Sequence, residues 1–374
     1  MAKTIQYDRN KPYNHLPLLP PPDEKSIDME VMNKLIKVST ALGKLDGIVK
    51  TLPNPEMLVN TIALRESKDS SGIENIFTSN DELYQSLVIE TTTISDNAKE
   101  VLNYREALDI GFKMIKERKE IDMDIIIAIY RKIKNTNLSV RSPMEQTVIR
   151  KRGSSLTSGN IIYTPPRGTS IIAKKMKNWL AYCNDDQRYN YASLLKMAIA
   201  HYQFEAIHPF GDGNGRTGRI LNILYLNQKG LLESPILYLS AFIIKNKSDY
   251  YYYLGGVTER HSWKPWIMFI LEGIEQTCYY TIQIIEQINA LYKNMKAYIL
   301  SVIPNFNQEI IKLLFFQPYI RAINIVNTPE CGIKTWQTAD FKLRNLNKLN
   351  VIDKKKIGRE TVYINHQLIN LLSE

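Results

Sequence analysis

His208-Pro209-Phe210-Gly211-Asp212-Gly213-Asn214-Gly215-Arg216-Thr217-Gly218-Arg219 is the stretch on which the reading of this 374-residue chain turns. Before it, Ala192 to Ile207 carries Leu195, Ala198, Ile199, Tyr202 and Ile207 at helical spacing, and after it Thr217 to Gln228 reads as a second helix. Between the two lies a tight turn. Glycines on both sides of Asn214 let the backbone pass through φ > 0, so that successive N–H groups converge. Such a concavity at a helix N-terminus binds phosphate oxygens. Arg216 and Arg219, three residues apart, can add charge-assisted contacts to a polyphosphate. Asp212 is a hard oxygen ligand suited to Mg²⁺ carried by phosphates, and His208 can take a proton near neutral pH.

Other readings of the same letters fare worse. Gly213-x-Gly215-x-x-Gly218, with Glu233 downstream, matches a dinucleotide fingerprint, but that motif follows a strand and this one follows a helix. Asp212-x-Asn214 begins like a calcium loop, yet Thr217 stands where such a loop needs Gly and Ile223 where it needs Glu. A plain Gly-rich turn, with His208 as a satisfied cap, leaves the convergence of an acid, an imidazole and two arginines unexplained.

Working outward, the chain is mostly α. A Pro-rich entry segment, Leu16 to Pro22, precedes helical spacing at Val31, Leu35, Val38, Leu42 and Leu45. Further helices are expected from Pro55, from Asn97 to Arg118, from Asp122 to Ile133 and from Ile171 to Tyr182. More follow from Ser248 and from Pro265 through Tyr298. Between Ser139 and Pro166, β-prone pieces at Thr147–Ile149 and Ile161–Tyr163 flank a Ser158-Gly159-Asn160 turn, which predicts a small hairpin. Beyond Pro304, helices at Gln308–Phe316, Arg321–Asn327 and Lys334–Leu349 precede Lys354-Lys355-Lys356 and a Thr361–Ile364 strand, the order of a winged helix-turn-helix.

Composition sets wider bounds. With 44% hydrophobic and 23% charged residues the chain can build a sizeable core. A net charge of +10 can attract ATP, nucleic acid or an acidic protein surface, or simply maintain solubility. Cys183, Cys278 and Cys331 are isolated and odd in number, which argues against a disulfide framework or zinc site and for a cytoplasmic setting. The polar start lacks a secretory pattern, and the apolar runs are too short to span a bilayer, so no membrane partner is expected.

The His208–Arg219 segment resembles the signature of the Fic family, His-Pro-Phe-x-Asp/Glu-Gly-Asn-Gly-Arg-x-x-Arg, at every fixed position. The resemblance implies a Fic-type helical core with a small β-hairpin flap, at residues 93–300. It also implies an N-terminal helical regulatory unit at 1–92 and a winged helix at 301–374. It implies a protein adenylyltransferase, which moves AMP from ATP-Mg²⁺ to a Ser, Thr or Tyr hydroxyl of a protein, the chain itself included. His208 would be the general base and Asp212 the Mg²⁺ ligand. Gly213, Asn214 and Gly215 would cradle phosphates, Arg216 and Arg219 would bind the β- and γ-phosphates, and Phe210 would anchor the loop.

Ser70-Ser71-Gly72-Ile73-Glu74-Asn75 is similar to the family's inhibitory motif, Ser/Thr-x-x-x-Glu-Gly/Asn, so Ser70 and Glu74 would be regulatory, with Glu74 denying Arg219 to the γ-phosphate. Gly159, Ile161 and Tyr163 would belong to the flap, on which a target segment adds as an extra strand. Tyr251, in a run of four tyrosines, would contact adenine, while Thr258 stands where some relatives have Asn. Two alternatives stay open. A Fic fold can transfer UMP, phosphocholine or phosphate instead, or serve a DNA-binding regulator as a nucleotide sensor. Residues 301–374 hold ten Lys/Arg against six Asp/Glu, an excess that allows DNA binding, protein docking or a homodimer.

Overall fold

Helical periodicity over nearly the whole chain leaves little material for strands. The computed structural model describes residues 7–21, 27–52, 55–86, 94–142, 147–150, 159–316, 318–357 and 359–373. It begins with α1 (Met29–Val49), started by the Asp28 carboxylate accepting from the Glu30 and Val31 amides. Helices α2 (Pro55–Ile73), α3 (Asn80–Ser86), α4 (Asp96–Arg118) and α5 (Met123–Lys134) follow. Ser95 and Asp122 cap α4 and α5 in the same way, each satisfying an amide that the helix cannot. An antiparallel pair, β1 (Ile149–Arg150) and β2 (Ile161–Tyr163), is the hairpin expected from the sequence, with Ile149 opposite Tyr163. Ser158, the first residue of its expected turn, lies outside the described residues.

The centre is α6 (Thr169–Asn184), α7 (Ser193–Ile207) and α8 (Asn214–Gln228). Every residue of α7 from Leu194 to Ile207 is buried, as is most of α8. A helix buried on all sides belongs in the middle of a bundle, and these two do, with Lys196, Glu205, Arg216 and Arg219 buried along them. Helices α9 (Leu239–Lys245), α10 (Lys247–Arg260) and the 40-residue α11 (Trp263–Val302) close the bundle, with α1 lying along α11. No described helix is long and apolar enough to cross a membrane, and all three cysteines are free and buried.

After α11 come α12 (Gln308–Phe316), β3 (Tyr319–Ile320), α13 (Ala322–Val326), α14 (Trp336–Lys348), β4 (Asp353–Ile357), β5 (Glu360–Ile364) and α15 (His366–Ser373). The strands form one antiparallel sheet in the order β3-β5-β4, with Lys354 opposite Tyr363 and Tyr319 opposite Ile364. Leu64, Leu83, Tyr84, Val101, Tyr319 and Val362 belong to a small second core, which joins this sheet to α2, α3 and α4. Five elements differ from expectation. The seven-residue α3 and α9, the eight-residue α15 and the two-residue β3 are too short to show a period, and α8 starts three residues earlier than Thr217 because Gly213, at φ 76°, already serves as its N-cap.

Candidate active site

The turn between α7 and α8 is built by its own residues. His208 ends α7 in the left-handed conformation (φ 52°), its amide donating to the Phe204 carbonyl at 2.9 Å. Phe210 is fully buried and stacks flat on Tyr130, ring centroids 3.9 Å apart. Asn214 closes the loop twice over. Its Nδ2 donates to the Phe210 carbonyl at 2.8 Å, and its Oδ1 accepts from the Phe210 amide at 2.9 Å. The Asn214 side chain is therefore taken up inside the loop. Gly213 offers no side chain to cap α8, which leaves the helix's positive end open to an anion.

Among the described residues only one nitrogen of the imidazole has a hydrogen-bond partner. His208 Nδ1 lies 3.2 Å from the Glu205 carbonyl, which can only accept, so Nδ1 carries the proton and Nε2 presents a lone pair. Burial lowers the His208 pKa to about 4, with the nearby Arg141 charge acting in the same direction. The ring is neutral at physiological pH. Arg141 supports it from behind, its Nε donating to the His208 carbonyl at 2.8 Å.

Asp212 is the most exposed member of the loop, and Lys134, at the end of α5, donates to its Oδ2 at 2.7 Å. Burial alone would raise this carboxyl, but Lys134 outweighs it and the net shift is downward. No cluster of three or more His, Cys, Asp or Glu able to hold a metal exists among the described residues. A lone carboxylate that already holds a cation fits Mg²⁺ that arrives on phosphates, not a resident ion.

The two arginines part company. Arg219 is buried against the end of α2. Its Nε donates to Ser70 Oγ at 2.8 Å, and its Nη2 to the Ser70 carbonyl at 2.9 Å and to Glu74 Oε1 at 3.2 Å. A Cβ placed on Gly215 would meet Glu74 Oε1 at 2.6 Å, so the carboxylate lies directly over the first turn of α8. Arg216 turns the other way, buried, with its Nη1 donating to Glu100 Oε2 of α4 at 2.5 Å. Glu205 is also buried beside Arg219. Burial pushes its pKa up to about 8 against the pull of that arginine, and its Oε1 has no hydrogen-bond partner among the described residues.

The flap residues sit at the same end of α7. Tyr163 donates to the Ala206 carbonyl at 2.8 Å, Ile161 pairs with Arg150 across β1–β2, and Gly159 has φ 87°. The extended segment before α1 flanks β2, with the Tyr13 amide on the Thr164 carbonyl at 3.0 Å. Tyr251 on α10 is 40% exposed and sits edge-on to buried Tyr250. Thr258 is occupied by Tyr202, their hydroxyls 2.9 Å apart. Sequence reasoning missed Lys134, Glu100, Glu205 and Arg141. None lies in the His208–Arg219 string, and only the fold brings them to it.

Comparison with known proteins agrees with this arrangement. Residues 32–113 match the Fic/DOC family N-terminal model and residues 120–226 the Fic/DOC family model. Residues 291–368 match the C-terminal domain of SoFic-like protein adenylyltransferases. A protein adenylyltransferase Fic of Drosophila grimshawi is 25% identical over 227 residues, which cover 58% of this chain and 44% of that protein. Its counterpart in Aedes aegypti is 28% identical over 183 residues, 49% of this chain and 34% of that one. The chain thus matches less than half the length of these curated relatives. The crystal structure of a Fic family protein from Desulfovibrio desulfuricans G20 shares the fold, with a TM-score of 0.57 and 18% identity over 93% of this chain and 98% of that one. The two Fic/DOC models lie on either side of residues 114–119 and together span more than half of the sequence, and the chain belongs to the Fic/DOC family.

Proposed function

We propose that this protein is an adenylyltransferase that moves AMP from ATP-Mg²⁺ to a hydroxyl of a protein, and that Glu74 restrains it in cis. The observation that carries the reading is a neutral imidazole with an open Nε2 at the mouth of an uncapped helix N-terminus, beside an arginine held by a glutamate. In this reading His208 Nε2 takes the proton of the target hydroxyl as its oxygen attacks the α-phosphorus. The bond from that phosphorus to the bridging oxygen breaks, and pyrophosphate leaves. Asp212 would hold Mg²⁺, which supplies charge neutralisation across the phosphates. The amides of Gly213, Asn214 and Gly215 would receive phosphate oxygens, and Arg219, once released, the γ-phosphate.

A positioned base contributes roughly 10²–10⁴-fold, so His208 and the geometry around it account for most of the chemistry asked of the protein side chains. Arg216, close enough to Asp212 to lower its carboxyl, would add its charge to the phosphates as the family signature implies. Gly159, Ile161 and Tyr163 would guide a target strand, and Tyr251, exposed on α10, would face adenine. In this reading residues 1–92 form the regulatory unit, 93–300 the catalytic core and 301–374 a winged helix. The relatives named adenylyltransferases support ATP as donor.

The test is incorporation of α-labelled ATP into protein. Glu74→Gly should label strongly, the unaltered chain weakly and His208→Ala not at all. Equal labelling by His208→Ala and the unaltered chain removes the base assignment. A panel of UTP, γ-labelled ATP and CDP-choline separates AMP transfer from the other transfers a Fic fold can perform.

A further inference from the structure

Each arginine of the loop is held by an acid from outside it, and the two acids ride on the two helices against which the C-terminal sheet packs. Glu74 follows α2 and holds Arg219, and Glu100 lies on α4 and holds Arg216. The small second core is made where these helices meet the sheet. Leu64 of α2, and Ala98 and Val101 of α4, pack with Tyr319, Val362 and Ile364. Ala98 and Val101 bracket Glu100. Leu64 lies six residues before Ser70, about 9 Å along a rigid helix.

Polar contacts tie the same elements. Tyr319 donates to Asp81 Oδ1 of α3 at 2.7 Å and stacks on Tyr84, the ring planes 12° apart. Lys68 of α2 in turn donates to Asn80 Oδ1 at the start of α3, at 2.7 Å. A chain of contacts thus runs from the β3–β5 sheet through α3 to the last turns of α2, which end in the Glu74 clasp.

We infer that the C-terminal unit is the regulator of the clasp: its sheet, seated through Tyr319 on α3, holds the Glu74–Arg219 and Glu100–Arg216 pairs closed, and what lifts the sheet opens them. The coupling is physical because α2 and α4 belong to both cores, so displacement of one end of either helix is felt at the other. The inference rests on the reading of Glu74 as a restraint, and deepens it by naming the element that sets the restraint.

The experiment uses the full chain with Tyr319→Phe, which keeps the stack and removes the hydrogen bond, and Asp81→Asn beside it. Loss of one such bond corresponds to about a five-fold change in an equilibrium. AMP incorporation should therefore rise about five-fold in each single variant, and not at all when the same change is added to Glu74→Gly. Backbone amides of residues 68–75 should exchange hydrogen faster in both variants. Unchanged exchange across 68–75 would overturn the inference, as would an equal multiplicative gain in the Glu74→Gly background. The exchange arm needs no catalysis. If Glu74→Gly transfers no AMP, the proposed function fails, while faster exchange at 68–75 still supports the coupling.

Discussion

Arg219 grips Ser70 twice, through Nε to the hydroxyl at 2.8 Å and through Nη2 to the carbonyl at 2.9 Å, and both contacts are shorter than its 3.2 Å reach to Glu74. The serine fixes the plane of the guanidinium, and the glutamate supplies the opposing charge.

Ser70→Ala should therefore loosen the clasp without abolishing it. One hydrogen bond of about 1 kcal/mol is lost, while the carbonyl and carboxylate contacts persist. Labelling from α-labelled ATP should rise about five-fold above the unaltered chain, and stay below that of Glu74→Gly. A Ser70→Ala protein that labels as weakly as the parent would show that the hydroxyl does not hold Arg219 in solution.

Asp212→Ala removes the one carboxylate in the loop. In the Glu74→Gly background it should lower AMP incorporation by a hundred-fold or more, in the range seen when a single charge-stabilising group is removed from a transfer site (roughly 10²–10³). Chelating divalent ions with EDTA should do the same to Glu74→Gly and have little further effect on the double variant. Equal sensitivity of both proteins to EDTA would place the metal elsewhere.

Glu205 links stability to pH. Its folded pKa is raised to about 8 from an ordinary 4.5, chiefly by burial. Between these values the folded chain keeps a proton that the unfolded chain gives up, so stability falls as pH rises through this window. Glu205→Gln cannot ionise and should lose that slope. Measured by thermal unfolding, the midpoint of the variant should gain on the parent by about 3 °C between pH 5 and pH 8. Parallel curves would mean that Glu205 is already charged in the fold.

Low pH acts through the histidines. Burial holds His201 at about 3 and His208 at about 4, both below the unfolded value of 6.5. The unfolded chain takes up these protons first, so stability should fall as pH drops from about 6.5 towards 4. The initial rate of transfer by folded Glu74→Gly, in contrast, should show no acid limb near 6.5, because His208 is still a base there. A rate that halves at pH 6.5 with the circular dichroism unchanged would put the His208 pKa at its ordinary value.

Phe210→Ala tests the anchor under the loop. Deleting a fully buried ring stacked on Tyr130 should cost about 3–5 kcal/mol in denaturant unfolding, and nucleotide affinity should fall with it as the loop loses its seat. Phe210→Leu, which refills most of the space, should recover the larger part of both. A loss in Phe210→Ala of under about 1 kcal/mol would contradict the packing.

The loop, its flanking helices and the Ser70–Glu74 string could be read in advance because each is a local pattern. Glycines announce the turn, a 3.6-residue period announces α7 and α8, and the hairpin strands are β-branched. Glu100 and Lys134 could not be read. They reach the site from 116 and 78 residues away, on helices whose polar faces look like any solvated face. Spacing and the family signature both put Arg216 with the phosphates, and neither showed that Glu100 would pair with it in this structure. The tie between the C-terminal sheet and α2 was equally hidden, since Tyr319 sits in a two-residue strand with no period of its own.

The unbroken length of α11 has a geometric consequence. Forty residues make a rod of about 60 Å, which reaches from the aromatic packing beside Tyr250 to the start of the C-terminal unit. Adding one residue near its end would turn everything beyond by about 100°. Tyr319 would then be carried away from Asp81, so the register of this single rod sets the angle at which the last seventy residues meet the rest.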